Sequence, residues 1–163
     1  MTAGLRTSLR LSFVASEAEL PVPPVSELLA QIRSTLPWDV ASIHPAAGEF
    51  PRLHVDWHDG QGFTIQCFED DQSWGYFVVT SSALSHPDIE INLGGQTLER
   101  WPRELFVSES VAHQALECFL DCGKQDPALH WIRMDAFPRE TLWEGRQGRE
   151  AWERAQAVNH RDV

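Results

Sequence analysis

Hydrophobic and polar residues alternate along residues 7–14, with Leu9, Leu11 and Phe13 on one side and Arg10 and Ser12 on the other. That period of two predicts a half-buried strand. Leu20-Pro21-Val22-Pro23-Pro24 follows as a stiff extended connector, because proline does not fit a helix interior and pushes the residue before it out of the helical region. From Pro24 the period lengthens: Val25, Leu28, Leu29, Ile32 and Leu36 make one apolar stripe at helical spacing, and Pro37 stops it. Alternation returns in residues 52–69, where Leu53, Val55 and Trp57 interleave with His54, Asp56 and His58. Asp59-Gly60 predicts a two-residue type I′ turn there. The return strand, Phe63 to Phe68, leads into the acidic turn Glu69-Asp70-Asp71. A third strand, Trp74 to Thr80, is apolar on both faces and is expected at the sheet centre. Ile89, Ile91 and Leu93 then alternate with Asp88, Glu90 and Asn92, and Gly94-Gly95 turns the chain into residues 96–101, a second hairpin.

The most regular pattern lies between Trp101 and Trp131. Ser108 is placed to cap a helix, and Glu109 suits its positive first turn. Val111, Ala112, Ala115, Leu116, Phe119 and Leu120 make a wide apolar face opposite His113, Gln114, Glu117 and Asp121. Gly123 supplies the left-handed stop. Leu129 to Met134 is a final strand, and residues 147–157 read as a polar helix within an Arg/Glu tail, 143–163. Helices bracketing a hairpin-connected sheet make the chain α+β. The expected architecture is an antiparallel meander of about five to seven strands with two main helices on one face.

Length and composition narrow the class. The 163 residues form one expected domain, 1–163, able to bury roughly 70% of its unfolded surface. An apolar fraction of 42%, with seven Trp and eight Phe, is that of a globular core and argues against disorder. No apolar run approaches the roughly 18 residues of a membrane span, and LSFVA near the N-terminus is short for a signal peptide. Three cysteines, Cys67 apart from Cys118 and Cys122, do not make a disulfide framework, so a cytoplasmic protein with free thiols is expected. Charge changes the picture most. Twenty-four acidic against 13 basic side chains give −11, which disfavours nucleic acid and anionic membrane and would steer a basic protein partner.

The candidate chemistry is sparse. His54, Asp56 and His58 share one strand face, but i and i+4 on a strand lie ~13 Å apart, too far for both histidines to bind one zinc ion. That triplet therefore reads as the polar, solvent-facing side of its strand. Cys118 and Cys122, one turn apart, lack the second ligand pair of a zinc site and read as small buried hydrophobes. No nucleophile signature or phosphate-cradling glycine loop stands out, so no metal, cofactor or catalytic residue is expected. Asp56, Asp59, Glu69, Asp70 and Asp71 remain, either as solvated loop charge or as a docking face for a basic partner.

The segment from Trp101 to Trp131 resembles the C-terminal signature of immunity protein family 1 of bacterial polymorphic toxin systems. Its matching features are Pro102, Leu105 to Val107, then Ala115, Leu116 and Phe119, then Gly123, Pro127 and Trp131. The resemblance implies a small α+β protein, not an enzyme, that blocks a cognate nuclease or deaminase toxin. A basic toxin cleft would suit an acidic inhibitor, with Asp56, Asp59, Glu69, Asp70, Asp71 and the strand-end Trp74 as expected contacts. Two other classes stay open: a small metal-dependent hydrolase using His54, Asp56 or Cys118, and a structural or chaperone-like adaptor with an exposed apolar patch.

Overall fold

Strand alternation organises the molecule more completely than the sequence pattern implies. The computed structural model describes residues 5–36, 39–71, 75–92 and 98–138. In chain order the elements are β1 (Leu9–Phe13), β2 (Ser16–Pro21), α1 (Val25–Ser34), β3 (Ala41–Pro45), β4 (Arg52–His58), β5 (Gly62–Phe68) and β6 (Tyr76–Val79). Then come β7 (Ile89–Asn92), β8 (Leu98–Trp101), a 3-10 turn (Arg103–Leu105), α2 (Glu109–Cys122) and β9 (His130–Arg133). Seven strands form one antiparallel sheet in the order β2-β1-β3-β4-β5-β6-β9, with β7 and β8 as a separate pair. The expected α+β class, sheet size and two-helix layer therefore hold.

Both helices pack on one face. Leu53, Val55, Phe63, Ile65 and Val78 from the sheet meet Leu28, Leu29 and Ile32 of α1 and Ala112, Leu116, Phe119 and Leu120 of α2 in a single core. α1 ends at Ser34, two residues before the apolar stripe does, and Leu36 is left 57% exposed. Leu36 precedes Pro37, which disfavours helical backbone at that position, and Thr35 is already extended. α2 forms as its residues dictate. Ser108 Oγ accepts from the Val111 N–H, and Gly123 closes the helix at φ 68° with its N–H on the Phe119 carbonyl.

Three expectations need correction. The second hairpin does not extend the meander: β7 pairs with β8 alone, and β9 takes the edge position beside β6. The reason is that β6 is apolar on both sides. Val78 faces the helices, while Phe77 and Val79 need cover on the other side, and Ile91, Trp101, Leu105, Phe106 and Phe137 provide it. The β4–β5 turn has three residues, Asp59 to Gln61, with Gly60 at φ 75° and His58 opposite Gly62. Residues 16–21, partly read as a connector, form strand β2, exposed throughout, and β3 is an additional strand between β1 and β4. The Gly94-Gly95 turn, Pro37 and the expected terminal helix lie outside the described residues.

Gly62 is where the helix layer is tied to the sheet. Phe63 and Val107 exchange both backbone hydrogen bonds, at 3.0 and 2.8 Å, one residue before the α2 cap. A Cβ on Gly62 would stand 2.6 Å from the Val107 carbonyl oxygen, at a backbone φ of 133°. At Gly123 the closest atom to such a Cβ is Leu5 Cδ2 at 3.3 Å, the end of a side chain that can shift. Gly62→Ala should therefore cost roughly 2–4 kcal/mol and Gly123→Ala about 1 kcal/mol. Urea denaturation of the two variants checks this, and equal losses would contradict the role assigned to the Phe63–Val107 bridge.

Candidate functional site

The face of the sheet opposite the helices carries the polar residues of β3, β4 and β5. Period two sends Leu53 and Val55 to the helix core and His54, Asp56 and His58 to the other side, where Asp56 lies opposite Thr64 and His54 opposite Gln66. This side is not open to solvent. Asp56 is 5% and His58 6% exposed, which corrects the solvent-facing reading of the triplet. The roof is made downstream in the chain, by β8 and the segment through Phe106. The His58 ring stands edge-on to Phe106 at 5.3 Å and to Trp101 at 5.7 Å between centroids.

Under this roof the polar groups satisfy one another. Asp56 Oδ1 accepts from the Trp57 N–H at 2.8 Å, and His58 Nε2 lies 3.1 Å from Thr64 Oγ1 and 3.5 Å from Asp56 Oδ2. Distance alone would admit an ion pair between His58 and Asp56. Burial opposes it. Loss of solvation raises the Asp56 carboxyl to about 7, with the Asp39 charge adding to the rise and the Trp57 N–H opposing it. The same loss of solvation lowers His58 to about 4. His54 is lowered to about 4 by burial and then by the Arg52 and His44 charges. Between these values the cluster is a set of neutral hydrogen-bonding groups.

A cavity of about 220 Å³ opens beside Asp56. His54, Asp56, Thr64 and Gln66 form its floor, Glu99 and Trp101 of β8 overhang it, and Val40, Phe77 and Met134 close the sides. Glu99 Oε2 accepts from Trp101 Nε1 at 3.0 Å, and Gln66 Nε2 approaches Met134 Sδ at 2.8 Å.

No protein-family model and no curated protein matches this chain.

Thr64 and Asp56 both approach the same ring nitrogen of His58, so the ring cannot relay a proton from one to the other through its two nitrogens. Among the described residues no three His, Cys, Asp or Glu side chains are placed to hold a metal ion. Cys118 sits on α2, across the sheet from His54 and Asp56, so the residues of the hydrolase alternative are not brought together. Burial first, then the Cys122 thiol, raise Cys118 to about 11, while burial raises Cys67 to about 12, so both thiols stay protonated. Cys122 is exposed, against its reading as a buried hydrophobe, with its thiol on the Cys118 carbonyl at 3.0 Å.

The expected acidic docking set does not form one surface. Asp56 is inside, Asp59 is exposed at the β4–β5 tip, and Glu69, Asp70 and Asp71 are exposed at the other end of β5. Seven strand residues separate those ends, ~20 Å at ~3.3 Å per residue. Trp74 lies outside the described residues. Glu69 instead meets the end of α2, around a cleft lined by Pro51, Cys67, Gly123, Lys124 and Gln125. Sequence reasoning missed this grouping, although the Gly123 stop marks where α2 deposits its last turn. It also missed Glu99 and Trp101 above Asp56, whose signal was an apolar hairpin with no other surface to bury against.

The raised Asp56 carboxyl has a consequence for stability. The folded protein holds a proton that the unfolded chain releases above its ordinary 3.8, so this group's contribution falls as pH rises from about 4 to about 7. His54 and His58 act oppositely, losing stability as pH falls from 6.5 toward about 4, but they do so in wild type and variant alike. Asp56→Asn should therefore be close to neutral near pH ~4.5 and more stable than wild type by roughly 2–4 kcal/mol near pH ~8. Denaturant unfolding across this range checks it, and a difference independent of pH would contradict the burial of an ionisable Asp56.

Proposed function

We propose that the protein is a non-enzymatic binding protein, an immunity protein that neutralises a cognate toxin of nuclease or deaminase type by occluding its active-site cleft. The observation that carries this reading is electrostatic. The chain holds −11 net charge, and Glu69, the first residue of the acidic 69–71 turn, lines a cleft with Gly123 at the α2 C-terminus, the negative pole of the helix dipole. Lys124, the only lysine in the chain, lines the same cleft. A surface of this kind attracts a basic cleft from a distance and speeds encounter. The likeness of Trp101 to Trp131 to the immunity signature supports the same reading, and α2 within it gives the acidic end a rigid base. Asp59, at the opposite end of the hairpin, falls outside this proposed surface.

Co-expression with the toxin encoded beside it tests the proposal: protection of the host cell is expected, and unchanged toxicity would overturn it. Within a confirmed complex, the triple substitution E69K/D70K/D71K should slow association by roughly 10–100-fold at low salt, with most of the difference lost near ~0.5 M salt. Stopped-flow association rates measured against ionic strength read this out. A salt-independent effect would place the contact elsewhere.

A further inference from the structure

We propose that the outer edge of β2 docks an extended segment of a partner protein in which basic residues alternate with apolar ones, the segment pairing with the edge as a further strand of the sheet. The site goes beyond the toxin-binding reading, because it lies on a different element and does not require the partner to be a toxin.

β2 ends the seven-stranded sheet, and each of its residues from Ser16 to Pro21 is exposed. Backbone groups of successive strand residues point to opposite edges, so the bonds of β1 decide how β2 is turned. The Ser8 carbonyl accepts from the Ala46 N–H, and the Val14 N–H donates to the Val40 carbonyl, both toward β3. Leu11 and Phe13, in the alternate positions, therefore face β2, where they meet Leu20 and Ser16. Between them the register is irregular, and the Ala18 N–H turns to Ser16 Oγ at 3.2 Å. Glu17, Glu19 and Pro21 are left with their backbone directed outward. Glu17 and Glu19 each offer an N–H and a carbonyl there, Pro21 a carbonyl, and none of these groups has a hydrogen-bond partner among the described residues. Such a row is a template for another strand.

Side chains fix the kind of strand. Glu19 lies on the polar face, its carboxylate 3.9 Å from His44 Nε2, and Glu17 is a second exposed carboxylate. Neither forms an ion pair with Lys or Arg among the described residues. Arg10 stands opposite Pro21, but its guanidinium donates to the Thr7 and Leu9 carbonyls. Leu20, opposite the buried Leu11, lies on the helix side and is 47% exposed. Directly opposite residues of paired strands share a face. A segment with Lys or Arg opposite Glu17 and Glu19 and apolar residues opposite Ala18 and Leu20 therefore satisfies both sides. A second copy of this chain does not. Antiparallel pairing of two β2 edges sets Glu17 and Glu19 against the same carboxylates, and the −11 net charge opposes that approach further.

The test adds acetyl-Thr-Val-Lys-Val-Lys-Thr-amide to the full chain at about pH 7 and low ionic strength, and follows the backbone amides by NMR and hydrogen exchange. Saturable binding with a dissociation constant on the order of 0.1–1 mM is expected, with exchange of the Glu17 and Glu19 amides slowed about tenfold or more at saturation. The same peptide methylated on its lysine backbone nitrogens keeps its charge but loses the donors of the strand, and should bind at least about tenfold more weakly. The exposed double substitution E17K/E19K should weaken the basic peptide about tenfold and take up acetyl-Thr-Val-Glu-Val-Glu-Thr-amide in its place, with a native amide spectrum. Equal binding of the methylated peptide, or binding that leaves the Glu17 and Glu19 amides unchanged, would mean charge attraction without strand pairing and would overturn the site, as would no saturation. Sedimentation of the chain alone decides the other occupant: a dimer whose formation slows the same amides assigns the edge to a second copy and overturns the proposal as well. Because no toxin enters the experiment, its failure leaves the co-expression result intact.

Discussion

A strand shows every second side chain to each side, so covering both faces of β4 and β5 commits Asp56, His58 and Thr64 to an apolar enclosure. An ionised carboxylate placed there would cost several kcal/mol. The protein avoids that cost by keeping the proton on Asp56 and leaving His58 neutral, with the Trp57 N–H and the Thr64 hydroxyl filling the remaining hydrogen-bond positions. Every other feature of this side is arranged around that enclosure. Trp101 and Phe106 bracket the His58 ring, Glu99 is turned back toward Trp101, and the cavity beside Asp56 is the volume the roof leaves unfilled.

The two layers are built from the same stretches of chain. Phe106 joins the roof cluster and its neighbour Val107 joins the helix core, while Phe77 and Val78 divide in the same way on β6, as do Ile132 and Trp131 on β9. The Phe63–Val107 bridge fixes the register at which this division occurs. Shifting it by one residue would exchange the layers. Charge is left to the outside, and there α2 matters a second time: one face completes the core, and its C-terminal end joins the acidic turn that follows β5.

How much of this could be read in advance depends on the range of the signal. α2 was legible to the residue because its cap, stripe and glycine stop are all local, and the α1 stripe failed only where Pro37 constrains Leu36. Alternation located β4, β5, β7 and β8 but carries no information on which strands pair, so the second hairpin was assigned to the wrong sheet. Exposed β2 gives no apolar period to detect. The polar face of β4 was misjudged for a deeper reason. Its pattern says that the two faces differ in polarity, while the cover that makes it interior comes from residues about forty to fifty positions downstream. The acidic set is dispersed for the same reason, since Asp56 faces the enclosed side while Asp59 and the 69–71 turn lie at opposite ends of the hairpin.

The enclosed cluster depends on the protonation of one side chain. Carbon-13 NMR of the Asp56 side-chain carboxyl, followed through a pH titration of the native protein, measures it directly. Enclosure by the roof predicts a midpoint near about 7, far above the ordinary 3.8. A midpoint near 4 would mean that solvent reaches Asp56 or a cation already pairs with it, and the enclosed neutral cluster would be wrong.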